Sequence, residues 1–186
     1  GDYAMPLEAK IELPHVAPAS LGAPRLLPDY KFLVLPPSEL AVGYGDLLLK
    51  GETSEYNKYF DTAEDKLLAA ITASKAKQKA DLPATAKITF TSAAGPADPI
   101  VFGTNDSGAI VAVYVSQIES VVPSEAGASI NPEASVKSLS GITSTTKGVT
   151  ATYGDQLLFY VPKIGSKEKI LLLGYADGLI SAKEKR

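Results

Sequence analysis

Between Gly148 and Ala176 the chain carries its densest apolar runs, so any core has to be built around them. Val149-Thr-Ala-Thr-Tyr153 leads through Gly154-Asp155 into Gln156-Leu-Leu-Phe-Tyr-Val161, and after a polar loop comes Lys169-Ile-Leu-Leu-Leu-Gly174-Tyr175-Ala176. Short runs rich in β-branched and aromatic residues, bounded by Gly and Pro, favour strands. Gly154-Asp155 admits two readings. In one, the pair is a two-residue turn, with Tyr153 and Gln156 closing a hairpin. In the other, Val149 to Val161 is one strand whose odd positions share a face, and Asp155 interrupts that apolar face. A buried carboxylate has a raised pKa and an acid/base capacity, which makes Asp155 the candidate catalytic residue. Turn chemistry explains both residues without a pocket, and the turn is the expectation here.

Upstream, Leu7 to Leu13 alternates apolar and charged residues as a half-buried strand does. Pro14, Pro18, Pro24 and Pro28 then punctuate an extended connector, and Lys31 to Leu35 forms a second apolar run. Pro36-Pro37-Ser38-Glu39 predicts a helix start capped by Ser38, with Gly51 as the stop. Gly43 and Gly45 weaken that helix, and a close neighbour is the reason to keep them. A longer helix is expected from about Ser54 to Ala80, because Tyr56, Phe60, Ala63, Leu67, Ala70, Ile71 and Ser74 recur at helical spacing. Asp61-Thr62 and Glu64-Asp65 form an internal capping signal at which it can restart.

Strands are predicted over Ala86 to Ser92, Pro99 to Thr104 and Ala109 to Ile118, the last two joined by an Asn105-to-Gly108 hairpin turn. Val122 to Ser140 reads as a long loop holding a short strand near Val136 to Leu139, and Ser181 to Arg186 as a charged tail. The expected fold is thus α+β: an antiparallel sheet of five or six strands packed on the long helix, with an extended N-terminal arm. One domain over residues 1–186 is expected, with the arm at 1–35, the helical part at 36–80 and the sheet at 86–180.

The bulk numbers mainly exclude. The chain has no cysteine, so disulfides, thiolate metal sites and cysteine nucleophiles are out, and the single histidine rules out paired imidazoles. A formal net charge of -3 gives no electrostatic case for nucleic acid. No apolar run is long enough for a spanning helix. Gly1-Asp2 reads as an internal starting point, so we expect an upstream signal, anchor or domain, and membrane attachment only through such an anchor.

No phosphate loop, dinucleotide fingerprint, zincin helix, EF-hand or nucleophile elbow occurs, and no metal or cofactor is implied. Ser166-Lys-Glu-Lys169 matches a Ser-x-x-Lys pattern in a polar turn without companion motifs. His15 reads as a surface or packing residue, and Lys75-Ala-Lys-Gln-Lys79 as a solvated helix end. Asn105-Asp106-Ser107 is formally a glycosylation sequon, best explained by turn chemistry. Tyr114, Tyr160 and Tyr175 lie on predicted strands and are the candidate binding residues, although core tyrosines with hydroxyls at the rim are the commoner case.

Two helices followed by antiparallel strands, in the order seen over residues 38–180, resemble the cystatin-like, ketosteroid-isomerase-like cone. Gly108-Ala-Ile-Val111, Leu139-Ser-Gly141, Tyr153-Gly-Asp-Gln-Leu-Leu-Phe-Tyr-Val-Pro162 and Ile170-Leu-Leu-Leu-Gly174 resemble the C-terminal domain of uncharacterised actinobacterial envelope proteins, often lipoproteins. That resemblance implies an extracytoplasmic, membrane-tethered location and no assigned activity. The expected function is a non-enzymatic envelope module that binds a protein, a cell-wall component or a small apolar ligand. The alternatives are a cone-type isomerase or dehydratase with Asp155 as base, and a structural domain that dimerises through a sheet face.

Overall fold

The computed structural model describes residues 13–185. The predicted Leu7-to-Leu13 strand lies outside the described residues except for Leu13. Residues 13–35 form no helix or strand, and the backbone is tied to the sheet by Leu26 N–H donating to Val101 O (3.0 Å) and Gly103 N–H donating to Pro24 O (2.8 Å).

Helix α1 (Pro37–Lys50) starts one residue before the predicted cap. Pro36 occupies the cap position, Pro37 takes the first turn, where a missing N–H costs nothing, and no side chain caps the end. Ser38 instead uses its backbone N–H, donating to Pro28 O at 2.8 Å. Gly51 does terminate the helix, at φ +58°. The two internal glycines are explained by close approach: a Cβ on Gly43 would come within 2.6 Å of Tyr56 Cδ1, and one on Gly45 within 2.8 Å of Ser92 Oγ.

The single long helix expected over Ser54 to Ala80 is not formed. A 3-10 turn (Gly51–Thr53) and further turns carry the chain to Phe60, and α2 spans only Lys66–Ala80. The reason is a non-local clip. Ile170 N–H donates to Tyr59 O and Asp61 N–H to Ile170 O, both at 2.8 Å, and this pulls residues 59–61 into extended pairing. The helix restarts at the capping signal, where the Asp65 carboxylate accepts from Leu68 N–H at 2.9 Å.

Among the described residues, five antiparallel strands form one sheet: β1 (Ala86–Ala94), β2 (Ile100–Gly103), β3 (Ala109–Pro123), β4 (Val149–Val161) and β5 (Leu171–Glu184). The order is β1-β3-β4-β5, and β2 pairs with the opening residues of β3, beyond the end of β1. β1 and β2 thus act as one edge interrupted by residues 95–99. β5 runs through the region read as a charged tail, pairing Glu184 with Val149. The region read as a strand near Val136 is a short helix, α3 (Ala134–Ser140), closed by Gly141 at φ +73°.

Apolar burial is concentrated at one end of the sheet. α1 packs on β1 and β3, and Leu40, Tyr44, Leu47, Phe60, Val111, Val115, Phe159 and Val161 form its centre. Tyr44, Phe60 and Phe159 meet as an aromatic trio with centroids 4.9–5.9 Å apart. At the other end a smaller cluster of Val136, Val149 and Ala151 lies beside α3. α2 buries only Leu67 and Leu68, and beyond Ile71 it presents Ser74, Lys75 and Gln78 towards the sheet. Among the described residues no helix is long and apolar enough to cross a membrane.

Candidate functional site

The expected turn at Gly154-Asp155 is overturned: both residues lie inside β4, paired with Ser116 and Val115 of β3. Gly154 is there for space. An added Cβ would stand 2.2 Å from the Tyr114 hydroxyl oxygen, because the Tyr114 ring lies across Gly154 from the neighbouring strand. The alternation along β4 therefore holds, and Asp155 shares the inner, α1-facing side with Leu157, Phe159 and Val161.

Asp155 is fully buried, at 0 % exposure. Its Oδ2 accepts a hydrogen bond from Gln117 Nε2 at 2.8 Å, while Oδ1 has no hydrogen-bond partner among the described residues. Burial raises its pKa to about 6; the Gln117 bond and Lys75 oppose the shift, and Asp177 adds to it. Asp177, on β5, is its register partner.

This carboxylate lies on the floor of a cavity of about 290 Å³ between α2 and the inner sheet face. Leu67, Ile71 and Lys75 of α2 form one wall, and Phe90, Gln117, Tyr153 and Tyr175 of the sheet form the other. A second cavity of about 520 Å³ lies towards α3 and shares Ser74, Gln78, Glu119 and Glu133 with the first, so the two make one groove. Gln78 Nε2 donates to Glu119 Oε2 at 2.7 Å across it. The groove exists because the α2 stripe runs out of apolar side chains after Ile71 and cannot close on the strands.

Titrations along the groove follow burial. Lys75 Nζ donates to Leu48 O at 3.0 Å and lies 5.5 Å from the centroid of the Phe90 ring. Burial lowers the Lys75 pKa to about 8, against the attraction of Asp155 and Glu119. Burial raises Glu119, and raises Tyr153 to about 12.

The three candidate tyrosines separate. Tyr175, register partner of Leu157, lines the groove with Asp155. Tyr114 and Tyr160 lie on the opposite face. The Tyr160 hydroxyl donates to Asp106, whose carboxylate also accepts from Thr104 Oγ1 and, at 3.1 Å, from Gly108 N–H. That network fixes the 105–108 hairpin, as turn chemistry predicts. His15 is exposed nearby, its carbonyl accepting from Asn105 N–H at 2.8 Å. Ser166 Oγ accepts from Glu168 N–H at 3.1 Å in an exposed turn.

Sequence reasoning did not single out Gln117, placed Tyr153 only at a turn, and read Lys75 as part of a solvated helix end; that last reading is overturned, because the Lys75 ammonium turns in to the Leu48 carbonyl. Gln117 and Glu119 interrupt the inner face of β3 as Asp155 interrupts β4, so the signal was present, but only strand register unites the three. Among the described residues, no group of three or more metal-ligating side chains converges.

Comparison with the curated proteins gave no significant match, and comparison with the solved structures gave none either. A family profile matches residues 14–184, and the chain accordingly belongs to DUF8094, a domain of unknown function.

Proposed function

We propose that this chain is a non-enzymatic binding module of the cell envelope, and that its ligand site is the groove between α2 and the inner sheet face. One observation carries the site. A helix lines the sheet without closing on it, and a buried carboxylate oxygen at the groove floor lacks a partner among the described residues. Buried polar atoms are almost always satisfied, and those left over concentrate where something binds. The cavity is of the size that holds a small organic molecule, and Leu67, Ile71 and Phe90 give it apolar patches among four carboxylates, Lys75 and two glutamines.

The envelope location rests on the resemblance of residues 108–174 to envelope lipoproteins. Sequencing the gene upstream of Asp2 tests it: a secretion signal with a lipid-attachment cysteine supports the location, and a cytoplasmic leader-free start refutes it. The cystatin-like cone remains our reading of the architecture, supported by α1 against one face of an antiparallel sheet.

An isomerase- or dehydratase-like enzyme is the second reading, favoured by the inward orientation of Asp155 beside Tyr175. Against it, the carboxylate's hydrogen-bond partner among the described residues is the neutral Gln117 amide, so no second acid or base stands in contact with it to relay a proton.

The binding site is tested by titrating a fragment library into isotopically labelled protein and following backbone amide shifts. Perturbations centred on Ile71, Gln117, Tyr153 and Tyr175 support the groove. Fragments that bind only the Tyr114 and Tyr160 face would overturn it.

A further inference from the structure

Four carboxylates (Glu119, Glu133, Asp155 and Asp177) line the 290 Å³ cavity against a single ammonium, that of Lys75. Glu119 is already engaged by Gln78, and Lys75 Nζ is engaged by the Leu48 carbonyl. The buried oxygen without a partner among the described residues is Asp155 Oδ1, beneath a cavity whose lining charge is acidic. A carboxylate out of water with one oxygen unsatisfied is costly unless a donor, and preferably a cationic one, completes it. Gln117 supplies one neutral donor to the other oxygen, and no other described residue supplies the second.

We propose that the groove binds a small organic cation, an ammonium or guanidinium head on an apolar or aromatic body, and that α2 yields on binding so that the head reaches and completes Asp155 Oδ1, which is otherwise sealed beneath it. Ile71 and Leu67 of α2 and the rings of Phe90 and Tyr175 supply the apolar walls for the body. Asp177 and Glu119 add long-range attraction from β5 and β3, and Lys75 of α2 is the resident cation that competes with the ligand. This inference rests on the groove being the ligand site. It adds the chemical class of the ligand and the residue that selects it.

The test uses phenethylamine and its neutral counterpart 2-phenylethanol, titrated into the labelled protein at pH 7.5 with amide shifts as the readout. Phenethylamine is expected to shift groove amides and to bind at least about tenfold tighter than the alcohol, the ratio set by a charge-assisted hydrogen bond. Asp155→Asn should remove most of that advantage, and Asp177→Asn should reduce it less. Lys75→Met should tighten the amine several-fold by removing the competing charge. Affinity should fall on acidification through about pH 6, as Asp155 takes up a proton. If both compounds bind the groove equally, or Asp155→Asn leaves the ratio unchanged, the cation specificity is wrong while the groove survives as a binding site. If neither compound shifts a groove amide but other fragments do, the inference also fails alone. Silence of the groove towards every probe overturns both.

Discussion

Asp155 of β4 and Asp177 of β5 are direct register partners, so two carboxylates stand opposite each other on neighbouring strands of the inner face. Like charges so placed are destabilising, and here one of them is fully buried. The fold tolerates the pair because burial, with Asp177 adding, lets Asp155 hold a proton up to about pH 6. A site that costs stability in the empty protein and is relieved by a partner is the expected form of a binding site.

Asp155→Asn should therefore stabilise the protein at neutral pH. The folded-state pKa lies above the value of 3.8 expected when unfolded, so the native state binds more protons between about pH 4 and 6. Stability is then lost as pH rises through that window. The variant escapes this loss and should be more stable by about 1–3 kcal/mol at pH 7.5, with the advantage shrinking to nothing near pH 4. Urea titrations at the two pH values measure it, and equal gains at both would contradict the assignment.

Tyr44 and Asp65 join the two helices through the core. The buried Tyr44 hydroxyl donates to both Asp65 oxygens, at 2.9 and 3.1 Å, while that carboxylate caps α2. Burial raises both pKa values. Tyr44→Phe should cost about 1.5–3 kcal/mol, the range for a hydrogen bond to a charged group. Asp65→Ala should cost more, because the cap is lost as well. In a double-mutant cycle the two should be strongly non-additive, and simple additivity would show that they act independently.

Gly154 carries a different kind of dependence. A Cβ at 154 would lie 2.2 Å from the Tyr114 hydroxyl oxygen and 2.9 Å from Cζ. Gly154→Ala should destabilise by about 1–3 kcal/mol despite the usual benefit of replacing a strand glycine. In a Tyr114→Ala background the penalty should largely vanish, and thermal melts of the four proteins decide it. A penalty that persists without the ring would place the strain in the backbone instead.

That glycine also marks where sequence reading stops. The alternation of β4 was legible, and it put Asp155 on the apolar face, but Gly-Asp is equally good turn chemistry. What decides between them is a tyrosine 40 positions upstream, and contact with it needs the register of β3 against β4. The same holds for α2. Its capping signal at Glu64-Asp65 was visible, while the clip between Tyr59, Asp61 and Ile170 that shortens the helix was not. Local patterns disclosed most strands and the α1 stop. The groove needed three elements to meet.

The pH dependence at Lys75 runs opposite in sign to that at Asp155. Burial holds the folded pKa of Lys75 at about 8, below the 10.5 of the free side chain, with Lys79 adding and Asp155 opposing. The unfolded chain thus binds more protons between about pH 8 and 10.5, and stability contributed by this position rises with pH across that window. Lys75→Met keeps the apolar stem over Phe90 and discards the charge, at the cost of the bond to the Leu48 carbonyl. It should stabilise by about 1 kcal/mol at pH 7, with the gain fading towards pH 10. Adding Asp155→Asn to wild type should lower the Lys75 pKa further, because the attraction that opposes the shift is gone. Direct titration of the Lys75 side-chain resonance in both proteins reads this out, and an unmoved Lys75 would mean the two groups are not electrostatically coupled across the groove.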